Sequence, residues 1–259
     1  MIDPAQMFSI NGRVALVTGA SSGIGRMIAT GLAACGARVY ACARTAARLE
    51  ATVAEIRQET SGDVIALPGD VSTVAGIEAL VAELSKSEKQ VDILVNNAGT
   101  ICEAPIDEYP EEGWDNVLSL NLKSCFFLTQ KLLPMMRAGA TAERPSTVIN
   151  IGSVGALRIG PKETYAYAAA KAGLHHLSKS MAKRLAPENI TINSIAPGFF
   201  PSDMTQITSD EMHDMLIQMV PRRRVGQPLD LAGLAVFLAS PAASYMTGTV
   251  IPVEGGMSL

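Results

Sequence analysis

A chain of 259 residues with 48% hydrophobic and 18% charged side chains is long enough to bury a substantial core and too apolar to be disordered. Its formal net charge of −4 gives no electrostatic footprint for phosphate backbones, so nucleic acid is not an expected partner; the one basic run, Arg222-Arg223-Arg224, reads as a solvated turn after Pro221. Neither a leader pattern nor an apolar run of membrane-spanning length is present, and Cys35, Cys42, Cys102 and Cys125 form no CxxC pair or zinc spacing, so a reducing, cytoplasmic location is expected.

In chain order, short apolar runs alternate with longer amphipathic ones. RVALVTG (13–19) is followed by a helical stretch at Gly23–Cys35, ARVYACA (37–43) by one at Thr45–Glu59, and DVIALPGD (63–70) by one at Thr73–Ser85. In the last, Val74, Ile77, Leu80, Val81 and Leu84 recur at helical spacing behind Ser72, which is placed to cap it. VDILVNNAG (91–99), STVINIGS (146–153), ITINSIAPG (190–198) and GTVIPVEGG (248–256) continue the series, with apolar helical stretches around Trp114–Met136 and Tyr167–Leu185 between them. Each run is rich in β-branched residues and ends in Gly, Asn, Asp or Ser, as strands covered on both faces of a parallel sheet do. The expectation is one α/β domain over residues 1–259, a Rossmann-type, doubly wound sheet of seven parallel strands with helices on both faces. Cys42 and Cys125 fall in apolar runs and read as small core residues. Between 199 and 220, Met204, Met212, Met215 and Met219 with Leu216 and Ile217 predict either a mobile lid over an apolar substrate or an amphipathic helix packed on the body. His175, His176 and His213 show no metal-ligand arrangement.

Three features carry chemistry. The first strand runs into Thr18-Gly-Ala-Ser-Ser-Gly-Ile-Gly25 and a helix; its glycines permit a tight turn and let helix N-terminal N–H groups approach a pyrophosphate. The spacing is GxxxGxG rather than GxGxxG, so the order strand, turn, helix, strand carries the assignment. At the end of the second strand, where NAD-specific folds place a carboxylate for the ribose 2′-hydroxyl, the chain has Cys42-Ala43-Arg44. A missing carboxylate removes repulsion, and the Arg44 fork can pair with a 2′-phosphate. Finally, TYAYAAAKAG (164–173) has two tyrosines ahead of one lysine. At about 100° per residue Tyr167 and Lys171 share a helix face, whereas Tyr165 points about 120° away.

TGASSGIG, NNAG at Asn96–Gly99, Asn121 in LSLNLKS, Ser153 in INIGSVG, YAAAK at Tyr167–Lys171 and PG at Pro197–Gly198 stand together in an order and spacing that resembles the short-chain dehydrogenase/reductase family over essentially the whole chain. The resemblance implies that Tyr167 protonates a carbonyl oxygen during hydride transfer, or deprotonates the alcohol in reverse. It implies that Lys171 favours the phenolate and holds the nicotinamide ribose, that Ser153 bonds the developing oxyanion, and that Asn121 holds a water in the proton relay. A free phenol titrates at about 10, so a neighbouring cation is the help such a tyrosine needs. For the cofactor it implies NADP(H): Gly19, Ser21, Ser22, Gly23, Ile24 and Gly25 at the phosphates, with Ser22 where many NADP-dependent members carry a basic residue. Asp70 and Val71 would contact adenine, unless Asp70 merely caps the next helix; Asn97, Ala98 and Gly99 would back the adenosine side. Pro197, Gly198, Phe200 and Ser202 would hold the nicotinamide.

Within the family the chain is most similar to bacterial 3-oxoacyl reductases, the rhamnolipid-associated type among them, through INIGSV, FPSDMT and SYMTGTVIP. That implies a ketone substrate with an apolar arm, such as a 3-oxoacyl thioester, walled by Val154, Ala156, Leu157, Ile159, Phe199, Phe200 and Met204. A homotetramer is expected, through the helices around Trp114–Met136 and Tyr167–Leu185 and the last strand. A dehydrogenase of a sugar, polyol or steroid alcohol is the alternative within the enzyme class. A cofactor-binding sensor is the alternative outside it, disfavoured because Asn121, Ser153, Tyr167 and Lys171 are all present.

Overall fold

The structure, a computed structural model, describes residues 3–202 and 209–259, the side chains of Pro4 and of 210–213 excepted. A short α1 (Pro4–Met7) leads into β1 (Val14–Thr18), α2 (Gly23–Ala34), β2 (Arg38–Ala43), α3 (Ala46–Thr60), β3 (Val64–Pro68), α4 (Val74–Ser87) and β4 (Ile93–Asn96). The second half follows with α5 (Glu111–Leu118), α6 (Ser124–Gly139), β5 (Ser146–Ile151), α7 (Tyr165–Leu185), β6 (Ile190–Pro197), α8 (Asp210–Gln218), α9 (Pro228–Ala239) and β7 (Val250–Val253). All seven strands pair in parallel in the order β3-β2-β1-β4-β5-β6-β7.

Alternate strand residues serve opposite faces. Ala15 and Val17 join Ile28, Leu32, Val53, Leu231 and Ala235 beneath α2, α3 and α9. Val14 and Leu16 join Leu80, Leu84, Leu128, Leu132 and Met181 beneath α4, α6 and α7. Two covered faces are why these strands read as continuous apolar runs. At β1 and β4 the strand order changes direction, and a crevice opens there at the carboxyl ends of the strands.

Local details differ from the sequence-based expectations. Thr73, not Ser72, caps α4, its Oγ1 accepting from the Gly76 N–H at 3.1 Å, because Ser72 is already turned by its own N–H donating to Asp70 Oδ1 at 2.9 Å. The arginine run is not wholly solvated: Arg224 forks onto Asp230 at 2.6 and 2.9 Å, and Asp230 Oδ2 also accepts from Gln227 N–H to close the start of α9. That guanidinium, with the Gln227 N–H beside it, holds the Asp230 carboxyl below the usual carboxylate range. Cys42 and Cys125 are buried, as their apolar settings imply. In the 199–220 segment α8 buries Leu216 and exposes Met215, as a helix lying on the body does; Met204 and the side chains of Met212 and His213 lie outside the described residues.

Candidate active site

The crevice is a cleft of about 380 Å³. Its floor is stitched across the switch point by Thr18 and Asn97. Thr18 Oγ1 donates to the Val95 carbonyl at 3.2 Å and accepts from the N–H groups of Asn97 and Ala98, each at 3.0 Å. Asn97 Nδ2 donates to the carbonyls of Thr18 and Gly19 at 2.9 and 3.1 Å. Gly19 has φ +64°, and a Cβ there would stand 2.9 Å from Ala98 Cα; at Gly25 a Cβ would run into the Gly19 carbonyl. Only glycine permits both approaches. The turn brings the first N–H groups of α2 to the cleft with no acidic residue in that helix turn, a setting suited to a bound anion.

Around this floor stand the residues singled out in the sequence. Gly19, Ser21, Ser22, Gly23 and Ile24 line one wall, and Arg44, Asp70 and Val71 the far end. Asn97, Ala98 and Gly99 form the base, while Ser153, Tyr167 and Lys171 close the opposite end with Pro197, Gly198, Phe200 and Ser202. Two do not line it: Gly25 lies beneath the turn, and Asn121 is fully buried. The cleft is also lined by residues that no sequence motif marks, Arg48 among them. Arg48 stands four residues after Arg44 in the first turn of α3, and both are exposed at the cleft; the i, i+4 spacing at a helix start was the available signal. Cys42 also lines the cleft, but burial, seconded by the Asp70 charge, pushes its thiol up to about 12, so it offers no thiolate.

At the end of the cleft with Ser153, Tyr167 and Lys171 the groups come from two elements. Ser153 follows β5 and caps a short helical turn, its Oγ accepting from the Gly155 N–H at 3.0 Å. That leaves its own O–H free to point elsewhere. Tyr167 is half-buried in the first turn of α7 beside Val117, Ala166 and Ala170. Lys171 is buried, donates from Nζ to the Ile151 carbonyl at 2.6 Å, and lies 5.7 Å from the centre of the Tyr167 ring. Tyr165 turns outward, donates to Glu163 at 2.7 Å and packs edge-on against Tyr109. α7 is keyed to the sheet by a buried chain from Asn96 Nδ2 to Asn150 Oδ1 and from Asn150 Nδ2 to Ser178 Oγ, each 2.8 Å, with Ser194 bonded to Ser178 at 2.9 Å.

Asn121 sits in a π turn (Ser119–Lys123) between α5 and α6. Its side chain accepts from the Thr100 N–H and donates to the Thr100 carbonyl, both at 2.8 Å, so its amide clamps the loop after β4.

The apolar wall differs from expectation. Val154 and Phe199 pack with Val220 and Met257 in a small separate core, Leu157 and Ile159 are 43% and 97% exposed, and Ala156 does not line the cleft; of the described members only Phe200 does. The turn after Ser153 is tied to the C-terminal segment, where Arg158 donates to the Met257 carbonyl at 2.8 Å. Among the described residues no group of His, Cys, Asp and Glu is placed to hold a metal ion, and no helix is long and apolar enough to cross a membrane.

The family model described as enoyl-(acyl carrier protein) reductase matches residues 19–258. The rhamnolipids biosynthesis 3-oxoacyl-[acyl-carrier-protein] reductase of Pseudomonas aeruginosa is 46% identical over 254 residues, covering 97% of this chain and 98% of that protein. The 3-oxoacyl-[acyl-carrier-protein] reductase FabG of Staphylococcus aureus is 41% identical over 247 residues, 94% of this chain and 97% of that one. The solved Pseudomonas aeruginosa RhlG/NADP active-site complex superposes with a TM-score of 0.95 at 45% identity, over 98% of this chain and 99% of that chain.

Proposed function

Because the chain belongs to the short-chain dehydrogenase/reductase family, we propose that it is an NADPH-dependent carbonyl reductase whose substrate is a 3-oxoacyl thioester or a similar ketone. The observation that carries the reading is a single cleft with a glycine turn and two arginines at one end and Ser153, Tyr167 and Lys171 at the other. The cradle fits the cofactor: the glycine turn brings the start of α2 to the cleft with no acidic residue in its first turn, and no carboxylate follows β2 where Arg44 stands.

NADPH, when bound, supplies the hydride. Ser153, whose Oγ accepts from Gly155 N–H, donates its O–H to the carbonyl oxygen as negative charge develops there. Tyr167 gives that oxygen its proton. Lys171, anchored at the end of β5, stands beside the resulting phenolate and has further N–H donors for the ribose hydroxyls. The Asn121 amide is spent on Thr100, so a relay water would meet its main-chain carbonyl in the π turn.

The 199–220 segment is read as the cover of the substrate end, since Phe200 and Ser202 at its start line the cleft. A cytoplasmic homotetramer acting on a small molecule or acyl thioester completes the reading, in keeping with the half-buried Phe126, Phe127 and Leu133 on α6 and the exposed Tyr165 on α7.

NADPH oxidation against a graded series of 3-oxoacyl thioesters tests the assignment: kcat/KM is expected to rise with chain length, at about 0.8 kcal/mol per buried methylene, until the pocket is full. A dehydrogenase of a polar alcohol is the second reading, favoured by the loss of most of the apolar wall. A flat series, or a polyol oxidised faster than any ketone is reduced, would shift the assignment to it.

A further inference from the structure

His175 stands on α7 one turn beyond Lys171 and two turns beyond Tyr167. It is 6% exposed, and its Nε2 is the one buried side-chain nitrogen or oxygen among the described residues that has no hydrogen-bond partner. The ring reaches toward the end of β5: a Cβ built on Gly152 would collide with Nε2 and stand 2.7 Å from Cδ2. Gly152 immediately precedes Ser153, and its N–H donates to the Ile195 carbonyl at 2.7 Å. Thus the imidazole presses on the backbone of the Ser153 arm from the helix that carries Tyr167 and Lys171. Burial, with the Lys171 and Lys179 cations adding to it, lowers its pKa to about 4, so the ring is neutral near pH 7. Neither β5 nor β6 carries a titratable side chain to pair with it.

We propose that His175 is a positioning residue, a neutral wedge between α7 and Gly152 that sets the separation of the Ser153 hydroxyl and the Tyr167 phenol. This rests on the oxidoreductase reading above, in which both groups must reach one oxygen atom. They come from different elements, so their separation depends on how closely α7 approaches the end of β5. Gly152 permits a close approach, and the ring stops it at a fixed distance. An unpaired buried imidazole is a poor choice for stability alone, because an apolar group leaves no polar atom unsatisfied. No apolar side chain offers a flat five-membered ring, however, and a small misplacement of a polarising donor impairs catalysis much more than binding.

Three variants test the wedge: His175→Ala, Gly152→Ala and the double variant, each checked by thermal unfolding. His175→Ala empties the space and Gly152→Ala overfills it, so each should lower kcat by about tenfold while the Kd for NADPH, read by fluorescence, stays within about twofold. The isotope effect from C4-deuterated NADPH should rise in both, because hydride transfer becomes limiting. In the double variant the added methyl occupies the vacated space, and kcat should return to within about threefold of wild type. Parallel losses of kcat and NADPH affinity, or a double variant less active than both singles, would overturn the wedge. If His175→Ala does not fold, the decision falls to Gly152→Ala against the double variant, which must be the more active of the two. Activity is followed in the direction the wild type supports: alcohol oxidation without ketone reduction overturns the reductase reading, while the same variants, assayed by oxidation and with a C-deuterated alcohol, still decide the wedge.

Discussion

Lys171 is held beside Tyr167 by the Ile151 carbonyl, and among the described residues no carboxylate pairs with it to neutralise the charge it presents to the phenol. On the proposed mechanism Tyr167→Phe abolishes turnover and leaves NADPH binding intact, while Tyr165→Phe, whose hydroxyl serves Glu163 outside the cleft, keeps kcat within about twofold. NADPH oxidation and fluorescence titration of the two variants check this. At the other end, Arg44→Ala is expected to raise the KM for NADPH by about tenfold or more through loss of a charge-assisted bond, with little change for NADH. Equal effects on both cofactors would remove Arg44 from 2′-phosphate recognition. His175 adds a dependence on pH. Its folded pKa of about 4 lies below the unfolded value of about 6.5, so its contribution is complete above pH 6.5 and is lost as pH falls toward 4, because only the unfolded chain takes the proton. Denaturant unfolding at pH 7 and pH 5 should show wild type losing about 2 kcal/mol more than His175→Phe. Arg44 was legible because it replaces an expected carboxylate. His175 was not, since a histidine on a helix looks the same in sequence whether its imidazole meets water or a glycine backbone.

Among the elements, α2 carries the glycine turn at its N-terminus and packs on α9 at unusually short range. A Cβ on Gly31 would stand 2.5 Å from Ala232 Cβ, so the two helices approach through small residues. Gly31→Leu is expected to force them apart, at a cost of about 1–3 kcal/mol, and to raise the KM for NADPH by shifting the helix start. Thermal unfolding and cofactor kinetics measure both; an unchanged Tm would show that α9 can move aside freely. The α5-to-α6 stretch shows what periodicity leaves out. A helix was readable around Trp114–Met136, but the π turn at Ser119–Lys123 depends on Asn121 reaching Thr100, 21 residues away. The cap of α4 passed from Ser72 to Thr73 for a similar reason, since Asp70 had already engaged the Ser72 N–H. Helix identity follows from spacing; helix ends follow from which neighbour takes each N–H first.

Across the whole molecule, the proposed tetramer predicts about four times the monomer mass by sedimentation at micromolar concentration. A monomer under those conditions would leave the α6 and α7 surfaces without the assembly proposed for them. All seven strands were identifiable one by one, because burial on both faces makes each a compact apolar run and parallel pairing puts helices between them. Their order reverses between β1 and β4, where the cleft opens, and right-handed crossovers on either side of that point put helices on both faces. The sequence by itself therefore determined the fold class and brought the glycine turn, Arg44, Ser153, Tyr167 and Lys171 to the strand ends, since these depend on local periodicity and on positions next to strands. Only the tertiary structure decided which apolar residues wall the cleft: Val154 and Phe199 are drawn off by Met257, and Leu157 and Ile159 face outward. It also decided that Arg48 joins Arg44 and that His175 meets Gly152. Those outcomes depend on packing between segments far apart in the chain, where side chains compete for the same space, and hydrophobicity alone does not say which one prevails.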